Sequence, residues 1–168
     1  MNSFRQMALL GALSLCLRLN AQAQATALVE YEAVALRYFL STLLPQDHPT
    51  YRKLSYSGCV LPGPHAFTSF PCFAPFDSLR REEVAINRWL GAQSTGKTVP
   101  IPPSSALKVV RRGGRFIPWV SVSDALDLRA RRVVPIRLSL LYRFTDYYFI
   151  NLDSEGQVVS ACRRQTIQ

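Results

Sequence analysis

VVPIRLSLLYRFTDYYFINLDSEGQVVSACRR, residues Val133 to Arg164, carries the most regular pattern in the chain. Val134, Ile136, Leu138, Leu140, Tyr142 and Phe144 alternate with Val133, Pro135, Arg137, Ser139, Leu141 and Arg143. Successive side chains of an extended backbone point to opposite faces, so this period of two reads as a half-buried strand. Thr145-Asp146 can make a tight turn into YYFINL. DSEG, with Gly156 in the left-handed position, turns again into QVVSACRR. The expectation is a three-strand antiparallel meander in which Pro135, lacking an amide proton, suits a strand start or an edge.

The pairing chosen for the first turn decides which residues are core. If Phe144 pairs with Tyr147, one face collects the row from Val134 to Phe144 with Tyr147 and Phe149, and this face is the core. The other face shows Arg137, Ser139, Leu141 and Arg143 beside Tyr148, Ile150 and Leu152. That mixture is too apolar for plain solvent and too basic for an interior, so a helix covers it or a partner does. Arg137, Arg143, Tyr148 and Ile150 are the candidate ligand- or partner-binding residues on this reading. A slip of one residue would exchange the two faces.

Upstream, LKVVRR, a Gly113-Gly114 pair and RFIPWVSV read as a hairpin, and SDALDLRAR is ambiguous between a loop and a helical turn. The apolar stripe Leu28, Ala35, Phe39, Leu43 predicts a helix over about Ala27 to Leu44, stopped by Pro45. Asp77 or Ser78 caps a second helix in DSLRREEVAINRWLGAQ, with Leu79, Ile86, Trp89 and Leu90 as its apolar stripe and Gly91 as its C-terminal glycine. Between the helices, prolines 62, 64, 71 and 75 alternate with Phe67, Phe70, Phe73 and Phe76 in a loop that packs on the body. The fold class is therefore α+β: two helices packed on an antiparallel sheet of about five strands, ending in the meander. A helix across a curved meander resembles nuclear-transport-factor-like cone folds in architecture alone, and no motif carries a function across.

The N-terminus supplies the compartment. One charge at Arg5, the eleven-residue apolar run Met7 to Leu17 and the small residues Ala21, Ala23 and Ala25 form a secretory signal peptide over residues 1–23. Cleavage falls before Gln24 or Thr26, and residues 24–168 form one α+β domain. The apolar run is shorter than the ~20 residues that span a bilayer, so the mature chain carries no transmembrane segment. Leu15, where a lipoprotein requires a small residue, argues against lipidation at Cys16. The expected location is the periplasm or the exterior. Losing Arg5 and Arg18 lowers the net charge from +9 by two, to +7, which suits an anionic partner. Of the three remaining cysteines, Cys59 and Cys72 flank the short Pro-rich loop and form the expected disulfide. Closing that loop stabilises by about 3 kcal/mol.

Candidate chemistry is thin. A zinc site from Cys59, His65, Cys72 and Cys162 lacks the tight C-x2-C clip of structural sites, so no metal and no cofactor is assigned. Neither G-x-S-x-G nor H-E-x-x-H occurs. His48 and His65 are the only histidines, and Asp47-His48 is half of an acid–base pair without a visible second half. Lys108 to Arg143 holds nine basic residues against two acidic ones, yet paired arginines in hairpins are commonly solvated edges, which argues against nucleic acid.

GAQSTGKT, Gly91 to Thr98, matches the phosphate-loop pattern. A phosphate loop joins a strand to the N-terminus of a helix. Here a helix precedes it and Val-Pro-Ile-Pro-Pro follows, so a nucleotide is not the expected ligand. Ser94 to Thr98 reads instead as an exposed loop, in which Lys97→Ala should change nothing. The function expected from these features is non-enzymatic binding of a ligand or partner by an exported protein. The alternatives are a small secreted hydrolase using His48 or His65, and an antagonist or immunity-type protein that covers an acidic partner.

Overall fold

The computed structural model describes residues 30–62, 83–91, 96–102, 107–110, 116–128, 131–140 and 144–167. The N-terminal apolar stripe forms a 17-residue helix, α1, regular over Tyr31–Tyr38, widened into a π turn at Phe39–Leu43 and regular again over Leu44–Asp47. Pro45 does not stop it. A proline ring clashes with the carbonyl four residues back and has no N–H to donate. The π turn immediately before Pro45 opens the spiral at that point, so the last turn continues to Asp47.

The strands follow as β1 (Lys53–Leu61), β2 (Lys108–Val110), β3 (Trp119–Ser123), β4 (Leu126–Leu128), β5 (Arg131–Leu140), β6 (Phe144–Leu152) and β7 (Val158–Ile167). A short helix, α2 (Glu83–Leu90), lies between β1 and β2 in the chain. The fold is mixed α+β with one seven-stranded sheet, ordered β2-β1-β3-β5-β6-β7, and β4 extends the line of β3 along β5.

Two expectations are corrected here. The sheet is not wholly antiparallel, because β1 runs parallel to both β2 and β3. Nor do β2 and β3 form a hairpin: β1 lies between them, and strands that both run with β1 also run with each other. Gly113 and Gly114 lie outside the described residues.

The meander β5-β6-β7 is antiparallel throughout, but its register differs from the one expected. Phe144 pairs with Leu140 and not with Tyr147, and Thr145 and Asp146 are ladder residues, not a turn. The displacement is an odd number of residues, so every β6 side chain changes face. Tyr148, Ile150 and Leu152 join Val134, Ile136 and Leu138 in the core beneath α1, with Leu54, Tyr56, Val120 and Val122 from the parallel half. Burying each such side chain stabilises by about 1.5–3 kcal/mol. That sum fixes the register against the slipped alternative.

The other face is covered at one end by α2. Trp89 packs with Leu126, Leu128, Val133 and Phe149, and its indole N–H donates to the Asp124 carbonyl at 2.8 Å. The helices thus sit on opposite faces of the sheet. Gly91 follows α2, its amide donating to the Asn87 carbonyl at 3.0 Å.

The phosphate-loop-like segment is neither free nor idle. The Val60 amide donates to the Lys97 carbonyl and the Val99 amide to the Gly58 carbonyl, each at 2.9 Å, with Cys59 and Thr98 bridged between. Gly96 adopts a left-handed φ of 68°, which turns the chain into this alignment. Lys97 Nζ then lies 2.5 Å from Glu32 Oε2, while the Ala125 amide donates to Glu32 Oε1 at 3.0 Å. Glu32 is 3% exposed on the inner side of α1. The expectation that Lys97 is dispensable is corrected by this pair, since removing the lysine would leave a buried carboxylate with less than its complement of partners. Residues 92–95 lie outside the described part.

The Cys59–Cys72 bridge is corrected as well: Cys59 is exposed and its thiol is free. Cys162, in contrast, is part-buried on β7 and packs against the cluster of Trp89 and Phe149. Cys72, His65, the Phe–Pro loop beyond Pro62 and residues 1–29 lie outside the described residues. Among the described residues no helix is long and apolar enough to cross a membrane.

Candidate functional site

Carrying α1 through Pro45 delivers Asp47 and His48 over the edge of the meander. Beneath them β6 turns Asp146 and Tyr148 to the same face, two residues apart, and β7 brings Arg163 directly beside Tyr148. Asp146 is 0% exposed. Its Oδ2 accepts a hydrogen bond from Arg163 Nη2 at 2.9 Å and lies 3.0 Å from His48 Nε2, whereas Oδ1 is buried without a partner among the described residues. The Tyr148 hydroxyl donates to Asp47 Oδ2 at 2.9 Å, and Arg163 Nη1 stands 3.6 Å from the same oxygen. One guanidinium therefore spans two carboxylates, one wholly buried and one part-exposed.

Aromatic rings fix the geometry. His48 stacks on Tyr51 with ring centroids 4.9 Å apart and planes inclined by 3°. Phe39 packs edge-on against Tyr148 at 4.9 Å, and the Arg163 guanidinium lies 5.9 Å from the Tyr148 ring centre. Burial raises the Tyr148 pKa, and the hydrogen bond to Asp47 raises it further, so the phenol is held as a donor. For Arg163, burial works to lower the pKa, but the bond to Asp146 and the nearby Tyr148 and Asp47 outweigh it, and the net direction is upward. Burial raises Tyr51 too, helped by the Asp146 charge.

His48 and Tyr51 also line a cavity of about 230 Å³ whose remaining walls are Leu40, Leu44, Pro45, Pro49, Leu107 and the cationic Arg52. An imidazole anchored through Nε2 keeps Nδ1 uncommitted, as that nitrogen makes no hydrogen bond among the described residues. A largely apolar hollow with a few oriented polar groups is how small-molecule sites are commonly built.

The residues singled out from the sequence do not come together. Tyr148 and Ile150 are buried beneath α1, while Arg137 is on the opposite face, its guanidinium 6.0 Å from the Tyr147 ring centre and its Nε buried without a partner among the described residues. Arg143 lies outside the described residues. The odd register shift is the whole cause, because it moved Tyr148 and Ile150 across the sheet from Arg137. Of the two histidines, His48 is within the described part and has found a carboxylate, though not the adjacent Asp47. Sequence reasoning misses Asp146 and Arg163, because Thr145-Asp146 reads as a turn and Arg163 as the end of a strand. A carboxylate in phase with the inward positions of YYFINL was the available signal, legible only once the register is known.

No protein-family model, no curated protein and no solved structure matches the chain.

Proposed function

We propose that this is an exported protein that binds a small ligand in the cavity beneath the end of α1, with His48 as the polar contact. One observation carries the reading: a completely buried carboxylate, Asp146, orients an imidazole at the rim of a largely apolar cavity that Arg52 also lines. A buried ionic cluster is seldom more stable than apolar residues of the same shape, so stability alone gives little reason for it. Titratable groups gathered at a cavity are the usual mark of a binding or reacting site. Export rests on the leader-like N-terminus.

The test is a thermal-shift panel on the mature, oxidised protein, covering short amphiphiles, glycans, nucleotides and metal ions. A stabilising compound should lose its effect in His48→Ala and in Leu40→Trp, which fills the hollow. A compound whose shift survives both changes, or a panel without any hit, counts against the reading. The second reading is acid–base catalysis by the same imidazole, favoured by the orientation of His48 by a carboxylate held in turn by Arg163. Chromogenic ester or phosphoester turnover that is unchanged in His48→Ala would exclude it.

A further inference from the structure

A second hollow opens beside the first, on the far side of Tyr51 and Arg52, and has a different character. The β1–β3 ladder begins only at Ser55, whose amide donates to the Pro118 carbonyl at 2.8 Å. Pro118 has no N–H, so the ladder cannot extend upstream of it. β1 therefore runs ahead of β3, and the notch between residues 50–53 and 116–118 is a cleft of about 330 Å³. Phe116, 80% exposed, forms one wall with Ile117 and Pro118.

The opposite rim is basic. Lys53 lines the cleft, and the parallel register sets Lys108 of β2 directly beside it. Leu54 and Val109 point into the core, so the two lysines share the outer face. Adjacent arginine Arg52 is tied by Nη1 to the carbonyls of Pro49, at 2.6 Å, and Tyr51, at 3.3 Å, which fixes its charge at the cleft wall. Like charges side by side on neighbouring strands destabilise a sheet. Neither lysine makes an ion pair with a carboxylate among the described residues, where Asp47, Asp146, Glu32 and Asp127 are engaged elsewhere. Lys108 lies on the outermost strand, and Lys53 lies where β1 has run past the start of the β3 ladder, so both charges stand beside unpaired backbone.

We infer that this notch is a binding site for an aromatic anion. The phosphate, sulfonate or carboxylate group of the ligand rests against Lys53 and Arg52, with Lys108 adding to the positive potential from the far side of β1, and its flat body lies along Phe116 and Pro118. The site is separate from the His48 cavity and does not depend on it.

The probe is 8-anilinonaphthalene-1-sulfonate, titrated by fluorescence into the full mature protein, with neutral N-phenyl-1-naphthylamine beside it. The sulfonate should bind at one site and weaken about tenfold in the double variant K53A/K108A. It should also weaken in Phe116→Ala, and more strongly as salt is raised. 1-Naphthyl phosphate should displace it where 1-naphthol does not. Affinity unchanged in K53A/K108A, equal weakening of the neutral probe in that variant, or no binding by the unmodified protein each overturns the proposal. So does a loss confined to His48→Ala, because the probe would then occupy the cavity beneath α1.

Discussion

Helix α1 sets two buried carboxylate partnerships against the sheet, one at each end, and they are built differently. Near its start, Glu32 has both oxygens engaged, one by Lys97 and one by the Ala125 amide. Beneath its finish, Asp146 gathers His48 and Arg163 on a single oxygen and leaves the other without a partner among the described residues. Glu32 lines none of the cavities formed by the described residues, whereas His48, the partner of Asp146, lines one. The comparison teaches how to tell a tie from a site. A group that only joins segments satisfies its polar atoms completely, and a group kept for binding retains capacity and an approach route.

The largest expected effect breaks the tie. Lys97→Ala should destabilise the fold by about 2–3 kcal/mol in urea denaturation, since Glu32 stays buried while the lysine, 37% exposed, is removed. Adding Glu32→Gln to that variant should recover part of the loss, and a neutral Lys97→Ala would show that the pair does not hold α1. At the other end, Asp146→Asn should cost less stability, about 1–2 kcal/mol. The same change should remove the His48-dependent stabilisation by any compound found in the panel. Equal stability losses at both ends, with ligand response intact, would erase the contrast between tie and site.

Gly96→Ala tests how the tie is aimed. An added Cβ meets nothing within 4 Å, but the φ of +68° strains any L side chain, so about 1 kcal/mol should be lost through the backbone alone. The smallest effect is a matter of pH. Tyr148 has a raised pKa and Tyr56 is pushed up to about 12, burial being the first cause in each. Below about pH 10 both states keep these phenols protonated and the contribution is complete. Above it the unfolded chain loses protons that the folded chain keeps, so stability falls as pH rises. A phenolate absorbance titration in which all seven tyrosines ionise together near pH 10 in the folded protein would refute this.

Some of this architecture was legible in particular residues. The alternation from Val133 to Arg164 marked strands because period two is a local consequence of the extended backbone. The stripe through Ala35 and Phe39 marked α1, and Trp89 the inward side of α2, for the corresponding helical reason. Pro45 misled because its usual effect assumes a regular helix upstream, and a π turn relaxes that condition. Asp146 misled because aspartate is common in turns, and only buried partners from β7 and α1 make a ladder position tolerable for it.

What the sequence determined by itself is a helix-and-sheet protein with a meander at its end, because each of those patterns is set by neighbours a few residues apart. Which face of the meander is core depended on whether Phe144 meets Leu140 or Tyr147, and on the summed burial of side chains from four strands and α1. The insertion of β1 between β2 and β3, the capture of Lys97 by Glu32 and the meeting of His48, Asp146 and Arg163 were decided only in three dimensions. Each joins residues far apart in the chain, and no local periodicity encodes such a meeting. It exists because the sheet order and the parity of one register bring the partners to the same side.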